Sequence, residues 1–329
     1  LFYYIIIHNI CAIIKPRLER RRLSFTRPIF FKKVIRVKME HMAPFCVVAA
    51  GICWGIIGLF TRQLSAYGLS PLQITFGRAL VTAIAMAVVA LFRQPRSLAI
   101  APRDIWMFLG TGLGSIVFFN ICYFTAIELT TLSVAAILLY TAPSIVMVFS
   151  IFLFHERFTR RKGFCLVLAF VGCVLVSGLG MGHVEAAGIL AGLGSGFGYA
   201  LYSIFGRYAL AKYEPLTVTA WTFIIASSGL LPFCHFGMIL SLAAAVPYTG
   251  LLFALLGLMS TALPFGLYTM GLKHMEAGRA SILASVEPLT STVVGIAIFH
   301  EALTLTGAAG MACILGAVIL LARSGSANG

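Results

Sequence analysis

Residues 143–156 read PSIVMVFSIFLFHE and residues 288–301 read PLTSTVVGIAIFHE. Both segments run from a proline to a His-Glu pair, and they lie 145 positions apart. Working outward at the same offset, Phe60 meets Phe205, Arg62 meets Arg207, Gly112 meets Gly257 and Ser115 meets Ser260. Tyr123 likewise meets Tyr268, Ala135 meets Ala280 and Ile137 meets Ile282. At an offset of 144, Pro71 meets Pro215, Thr75 meets Thr219, Gly163 meets Gly307 and Gly172 meets Gly316. One-residue changes in loop length account for the difference. The chain is a duplicated unit.

Composition decides the solvent. Hydrophobic residues are 60% of the 329 and charged residues 10%, against roughly 45–50% and 25% in soluble domains. So few charges cannot cover a water-exposed surface of this size, so lipid is the main partner. The net charge of +14 invites a nucleic-acid reading, but its distribution argues against one. Residues 1–40 hold ten Lys/Arg and two acids, while the other 289 hold fourteen and eight. Those fourteen sit almost entirely in short gaps between apolar runs, as charges that orient a membrane protein do. They form no basic track with interleaved aromatics, so no nucleic acid is expected.

Ten apolar runs lie near 44–64, 72–92, 105–127, 132–153, 163–181, 187–207, 217–235, 248–270, 279–299 and 306–323. Each is long enough, at about 20 residues, to cross hydrocarbon as a helix, and about twice the length of a barrel strand. The sequence therefore predicts an all-α integral membrane protein of ten transmembrane helices. Its parts are a basic tail over 1–40 and two five-helix repeats over 44–181 and 187–323. An odd number of helices per repeat makes the second copy enter the membrane from the opposite side. That inverted topology is characteristic of secondary transporters.

Lys/Arg counting sets the orientation. With the N-terminus in the cytoplasm, twelve cations from Arg93 to Arg323 fall on the cytoplasmic side and Arg62 alone falls outside. Both termini are then cytoplasmic. The apolar segment 1–14 is too short to span, and its basic cluster follows it, the reverse of a secretory signal. Residues before Met39 or Met42 are expected to be dispensable or to belong to an over-extended start. The cysteines Cys46, Cys53, Cys122, Cys165, Cys173, Cys234 and Cys313 lie in apolar runs without any C-x-x-C, which reads as small hydrophobes; no metal or other cofactor is expected.

The chain resembles the EamA-type members of the drug/metabolite transporter superfamily. The resemblance rests on the 5+5 inverted repeat, Trp54-Gly55, the two proline-to-Glu segments and Glu287-Pro288, and it covers about 44–323. It implies a ten-helix bundle, usually in a bacterial inner membrane, that exports amino acids, amines or related metabolites.

Glu287 is the leading candidate for function. It is the ninth residue from Arg279, hence about 12 Å deep, where an ionisable group faces a cavity or a partner. Pro288 removes a backbone bond beside it, and Pro143 does so in the first repeat, so both predict helix kinks. The alternative for Glu287 is a structural pair with a hydroxyl or with Arg78. Arg78, about 10 Å into the second helix, suits a substrate carboxylate or snorkels to the headgroups. Asn120, Tyr123, Tyr268, Trp54, Tyr199 and Tyr202 offer aromatic faces with polar tips, suited to an organic solute or to ordinary packing. His155-Glu156 and His300-Glu301 read as caps of helix ends, and the glycines of 192–198 as a packing seam, since no Walker sequence is present.

The function expected is export of a small amino-acid-like metabolite by alternating access, with proton coupling or exchange. The alternatives are a lipid or lipid-linked-sugar flippase and, from another class, a membrane-embedded enzyme, against which the scattered polar groups argue. No catalytic residue is expected, and a homodimer is left open.

Overall fold

The computed structural model describes residues 27–93, 98–178 and 185–323. The tail before residue 27, with its apolar segment, lies outside the described residues. The chain divides at His41/Met42, and Met42–Gly329 is the compact unit that holds the bundle.

The bundle is all helix. Nine described helices are long and apolar enough to cross a membrane. They are α1 (Met39–Ala66), α2 (Pro71–Phe92), α3 (Pro102–Leu129), α4 (Leu132–Phe154), α6 (Ala186–Leu210), α7 (Pro215–Phe233), α8 (Pro247–His274), α9 (Ala277–Phe299) and α10 (Leu305–Arg323). The tenth predicted span is α5, Arg160–Ser177. Its first turn holds Arg160, Arg161 and Lys162, so the same apolar run reads as more polar over its full length. A short apolar helix, Phe236–Ala245, occupies the connection between α7 and α8, where the sequence alone predicts only a gap between the runs 217–235 and 248–270.

The repeat is visible as paired irregularities. Wide π-helical turns occur over Gly110–Val117 in α3 and Leu258–Ala262 in α8. At both prolines the helix is interrupted for one or two residues, Tyr140–Thr141 in α4 and Ser285 in α9. Helix Leu132–Leu139 stops before Ala142–Phe154, and Ala277–Ala284 stops before Val286–Phe299. Pro143 and Pro288 sit in the first turn of each second segment, where proline lacks nothing that the turn needs. The ring of each would clash with the carbonyl four residues earlier, so the preceding turn cannot continue.

Each break is covered by a glycine of the other repeat. A Cβ on Gly51 of α1 would lie 3.0 Å from the Ala284 carbonyl and 2.4 Å from Val286. A Cβ on Gly196 of α6 would lie 2.9 Å from the Leu138 carbonyl and 3.3 Å from that of Leu139. Gly51 and Gly196 are themselves 145 apart. Gly112 and Gly257 form a second matched pair: the first abuts Thr222 and Ile225 of α7, the second Arg78 and Val81 of α2. Small residues at such seams let backbones approach and polar groups bond across helices. Thr111 and Thr222 share a 2.6 Å hydrogen bond, and Thr82 donates to the Gly257 carbonyl at 2.9 Å.

The 192–198 glycines do pack as a seam. They abut Leu138 of α4 and Cys122, Phe118 and Phe119 of α3. The seven described cysteines are all unbridged.

Candidate functional site

The second half of α3, from the end of its π-turns at Ile116 to Phe124, and the interruptions in α4 and α9 border a space between the repeats. A cavity of about 360 Å³ fills it. Its rim is Thr61, Ser65 and Pro71, at the junction of α1 and α2, where Ser65 and Pro71 are exposed. Its walls bring together six of the residues singled out from sequence: Trp54, Arg78, Asn120, Tyr123, Tyr199 and Glu287. Tyr268 lies one layer deeper. With Tyr202, Ser203 and Ser115 it lines a chamber of about 30 Å³ that shares Trp54, Tyr199 and Phe265 with the main cavity.

Glu287 stands at the start of the second segment of α9, one residue before the proline that causes the break. Its Oε2 accepts from the Tyr199 hydroxyl at 3.4 Å. Arg78 donates to the Asn120 side-chain carbonyl at 3.4 Å. Asn120 is held in turn, because its Nδ2 donates to the Ile116 carbonyl at 2.7 Å and Thr75 donates to its Oδ1 at 3.3 Å. Arg78 is thus aimed into the cavity by a neutral acceptor, not by a carboxylate. Arg78 and Glu287 line the same space yet form no ion pair with each other. Of the two structural partners weighed for Glu287, the hydroxyl is present and the arginine is not.

Aromatic rings form the floor. Trp54 packs at 5.0 Å on Phe265, 5.4 Å on Tyr268 and 6.4 Å on Tyr199, mostly edge to face. Tyr199 also meets Phe119 edge-on at 5.6 Å. The tyrosines of the deeper layer have their own partners: Ser203 with Tyr268 at 2.7 Å and Tyr202 with Thr269 at 2.9 Å. The Trp54 indole N–H is buried without a partner among the described residues, and Trp54 lines both spaces.

Sequence reasoning missed Thr75, Phe119, Tyr140 and Phe265 as lining residues. Thr75 carried a signal, its repeat match with Thr219, and the two keep one pose: each hydroxyl donates to the carbonyl of a helix-opening proline at 2.9 Å.

Two inverted five-helix repeats around a cavity lined by aromatic and polar residues at their interface define a membrane transporter. The comparisons agree. The EamA-like transporter family matches residues 41–178 and again residues 186–323, and the chain belongs to that family, within the drug/metabolite transporter superfamily. An uncharacterized transporter of Archaeoglobus fulgidus is 32% identical over 282 residues, covering 84% of this chain and 95% of the relative. The threonine/homoserine exporter RhtA of Escherichia coli K12 is 29% identical over 233 residues, 69% of this chain and 74% of its own. A crystal structure at 19% identity shares the fold, with a TM-score of 0.70 over 86% of this chain and 98% of that one. The relatives bear the names of transporters, not enzymes.

Proposed function

We propose that the protein exports small zwitterions of the amino-acid class by alternating access, coupled to protons or to exchange. It does so in the inner membrane with both termini in the cytoplasm. One observation carries the reading: a guanidinium and a carboxylate line one cavity without pairing. An arginine left for a carboxylate and a carboxylate left for an ammonium suit a solute that carries both charges. Aromatic walls between them suit its carbon skeleton. The cavity volume of about 360 Å³ falls at the lower end of the roughly 300–1,000 Å³ typical of small-molecule sites. The name of the RhtA relative, a threonine/homoserine exporter, points to the same class.

Counterflow of labelled threonine and homoserine in proteoliposomes, with and without a pH gradient, tests this. Exchange competed by zwitterions but not by the matching decarboxylated amines is expected. Movement of a labelled lipid with no amino-acid exchange would overturn the reading in favour of a flippase.

The orientation has its own test. A reporter active only in the cytoplasm should be active when fused after Arg323 and silent when fused after Gly178, at the end of α5. The reverse pattern would invert the bundle.

A further inference from the structure

The two His-Glu pairs have the same backbone and different carboxylates. His155 and His300 both end their helices in the left-handed region, at φ 53° and 54°. The Glu156 amide donates to the Ser150 carbonyl, and the Glu301 amide to the Gly295 carbonyl, each at 3.1 Å. Beyond that the copies part. Glu156 is 8% exposed and its carboxylate accepts the Ala277 amide at 2.7 Å and the Gly278 amide at 3.2 Å. These are first-turn N–H groups of α9, which have no partner within the helix. Glu301 caps no helix start among the described residues. Its side chain is 50% exposed, pairs with Arg62 at 2.8 Å, and lies where a Cβ on Gly295 would be.

Two arginines differ in the same way. Arg207 donates to the carbonyls of Leu272 and Met275, at 2.9 and 2.5 Å, at the end of α8 just before the amides that Glu156 holds. Its repeat match, Arg62, lies over the Phe299 ring at 4.1 Å and on Glu301. The cavity opens at the Arg62–Glu301 end and has no lining residue at the Glu156–Arg207 end. Shifting the closed end by 145 places the matching groups at the amides of Leu132 and Ser133 and the carbonyls of Ile127 and Thr130. Among the described residues, the Leu132 and Ser133 amides donate to no protein group, and Leu132 is exposed.

We propose that Glu156 and Glu301 are alternating latches. In the conformation seen, Glu156 and Arg207 clamp the α8–α9 junction and close one end of the pathway. In the other, Glu301 leaves Arg62 to cap the free amides of Leu132 and Ser133, Arg62 takes the carbonyls of Ile127 and Thr130, and Glu156 is released. Each inverted repeat then adopts the pose that the other shows here. Both states are held by one charge-assisted cap, so rocking exchanges equivalent bonds. The inference rests on the alternating-access reading but not on the substrate.

Opposite signs distinguish a latch from a structural contact. The test is the rate at which a maleimide labels Thr61→Cys, at the cavity rim, in full-length protein in nanodiscs with the other cysteines replaced. Glu156→Ala removes the clamp of the open state and should slow labelling by roughly tenfold, the worth of a charge-assisted hydrogen bond. Adding Glu301→Ala removes the opposing latch and should bring the rate back toward that of the parent. Glu156→Gln keeps one acceptor and should fall between, which preserves the test if the alanine variant does not fold. An unchanged rate in both Glu156 variants, or a further fall in the double variant, would overturn the proposal. Labelling needs no substrate, so threonine counterflow by the parent protein judges the zwitterion reading separately.

Discussion

Glu287→Gln is expected to insert and fold but to lose gradient-driven transport by two orders of magnitude or more. The replacement keeps the shape of the side chain and can still accept from the Tyr199 hydroxyl, so the α9 break should survive. What disappears is the negative charge facing Arg78 across the cavity. A hydrogen bond to a charged group contributes about 1.5–3 kcal/mol, or roughly 10–100-fold in affinity for an ammonium at 1.4 kcal/mol per decade. Glu287 is the only side-chain carboxylate on the described cavity wall, so under the proposed proton coupling its loss would also remove the proton-exchanging group and take the total further. Glu287→Asp should be intermediate, because one methylene withdraws the carboxylate without abolishing it. Tyr199→Phe removes only the hydroxyl and should cost less than Glu287→Gln. The readout is amino-acid flux in proteoliposomes with an imposed pH gradient. Normal pH-dependent flux through Glu287→Gln would leave Glu287 as a polar contact beside Pro288 and nothing more.

The repeat made most of this fold legible, because matched residues survive at positions where backbone geometry is demanding. The prolines, the His-Glu pairs and Gly112 with Gly257 are of this kind, and each now has a physical cause. The depth of the proline effect was less legible. The prolines mark where each helix is interrupted but not what packs on its carbonyls, which Gly51 and Gly196 do from the opposite repeat. The short helix Phe236–Ala245 was missed because its ten residues are too few to span and the matching sequence of the first repeat, LFRQPRSLAI over 91–100, carries two arginines and a proline. Polar residues of the cavity were readable from the cost of placing Arg78, Asn120 and Glu287 in a membrane. Phe119, Tyr140 and Phe265 were not, because helices that are apolar all round give no periodic sign of which face meets a cavity. The same limit explains why Glu156 and Glu301 read alike from sequence. Which of two identical loops finds a helix to cap depends on the conformational state.

Arg78→Gln should separate zwitterions from amines. Arg78 is aimed by Asn120, whose amide is fixed on its own helix by the Ile116 carbonyl and whose oxygen takes both the Arg78 and Thr75 donors. The guanidinium therefore has a neutral hydrogen-bond partner in Asn120 and lines the cavity with Glu287 without an ion pair, an arrangement suited to two-point binding of a carboxylate. Arg78→Lys keeps the charge but presents a point donor in place of a planar fork, so KM for threonine should rise by roughly tenfold with a smaller change in maximal rate. Arg78→Gln removes the charge as well, and exchange of threonine or homoserine should fall by about 100-fold. A decarboxylated amine of similar size has nothing to lose at Arg78 and no longer meets its repulsion, so its exchange should hold or increase. Asn120→Leu leaves Arg78 charged but unaimed and should reproduce part of the KM effect. If Arg78→Gln lowers amine and amino-acid exchange equally, Arg78 serves the packing of α2 against α3 and the carboxylate of the solute is bound elsewhere. A reversal of preference from zwitterion to amine would mark this arginine as the residue that reads the carboxylate.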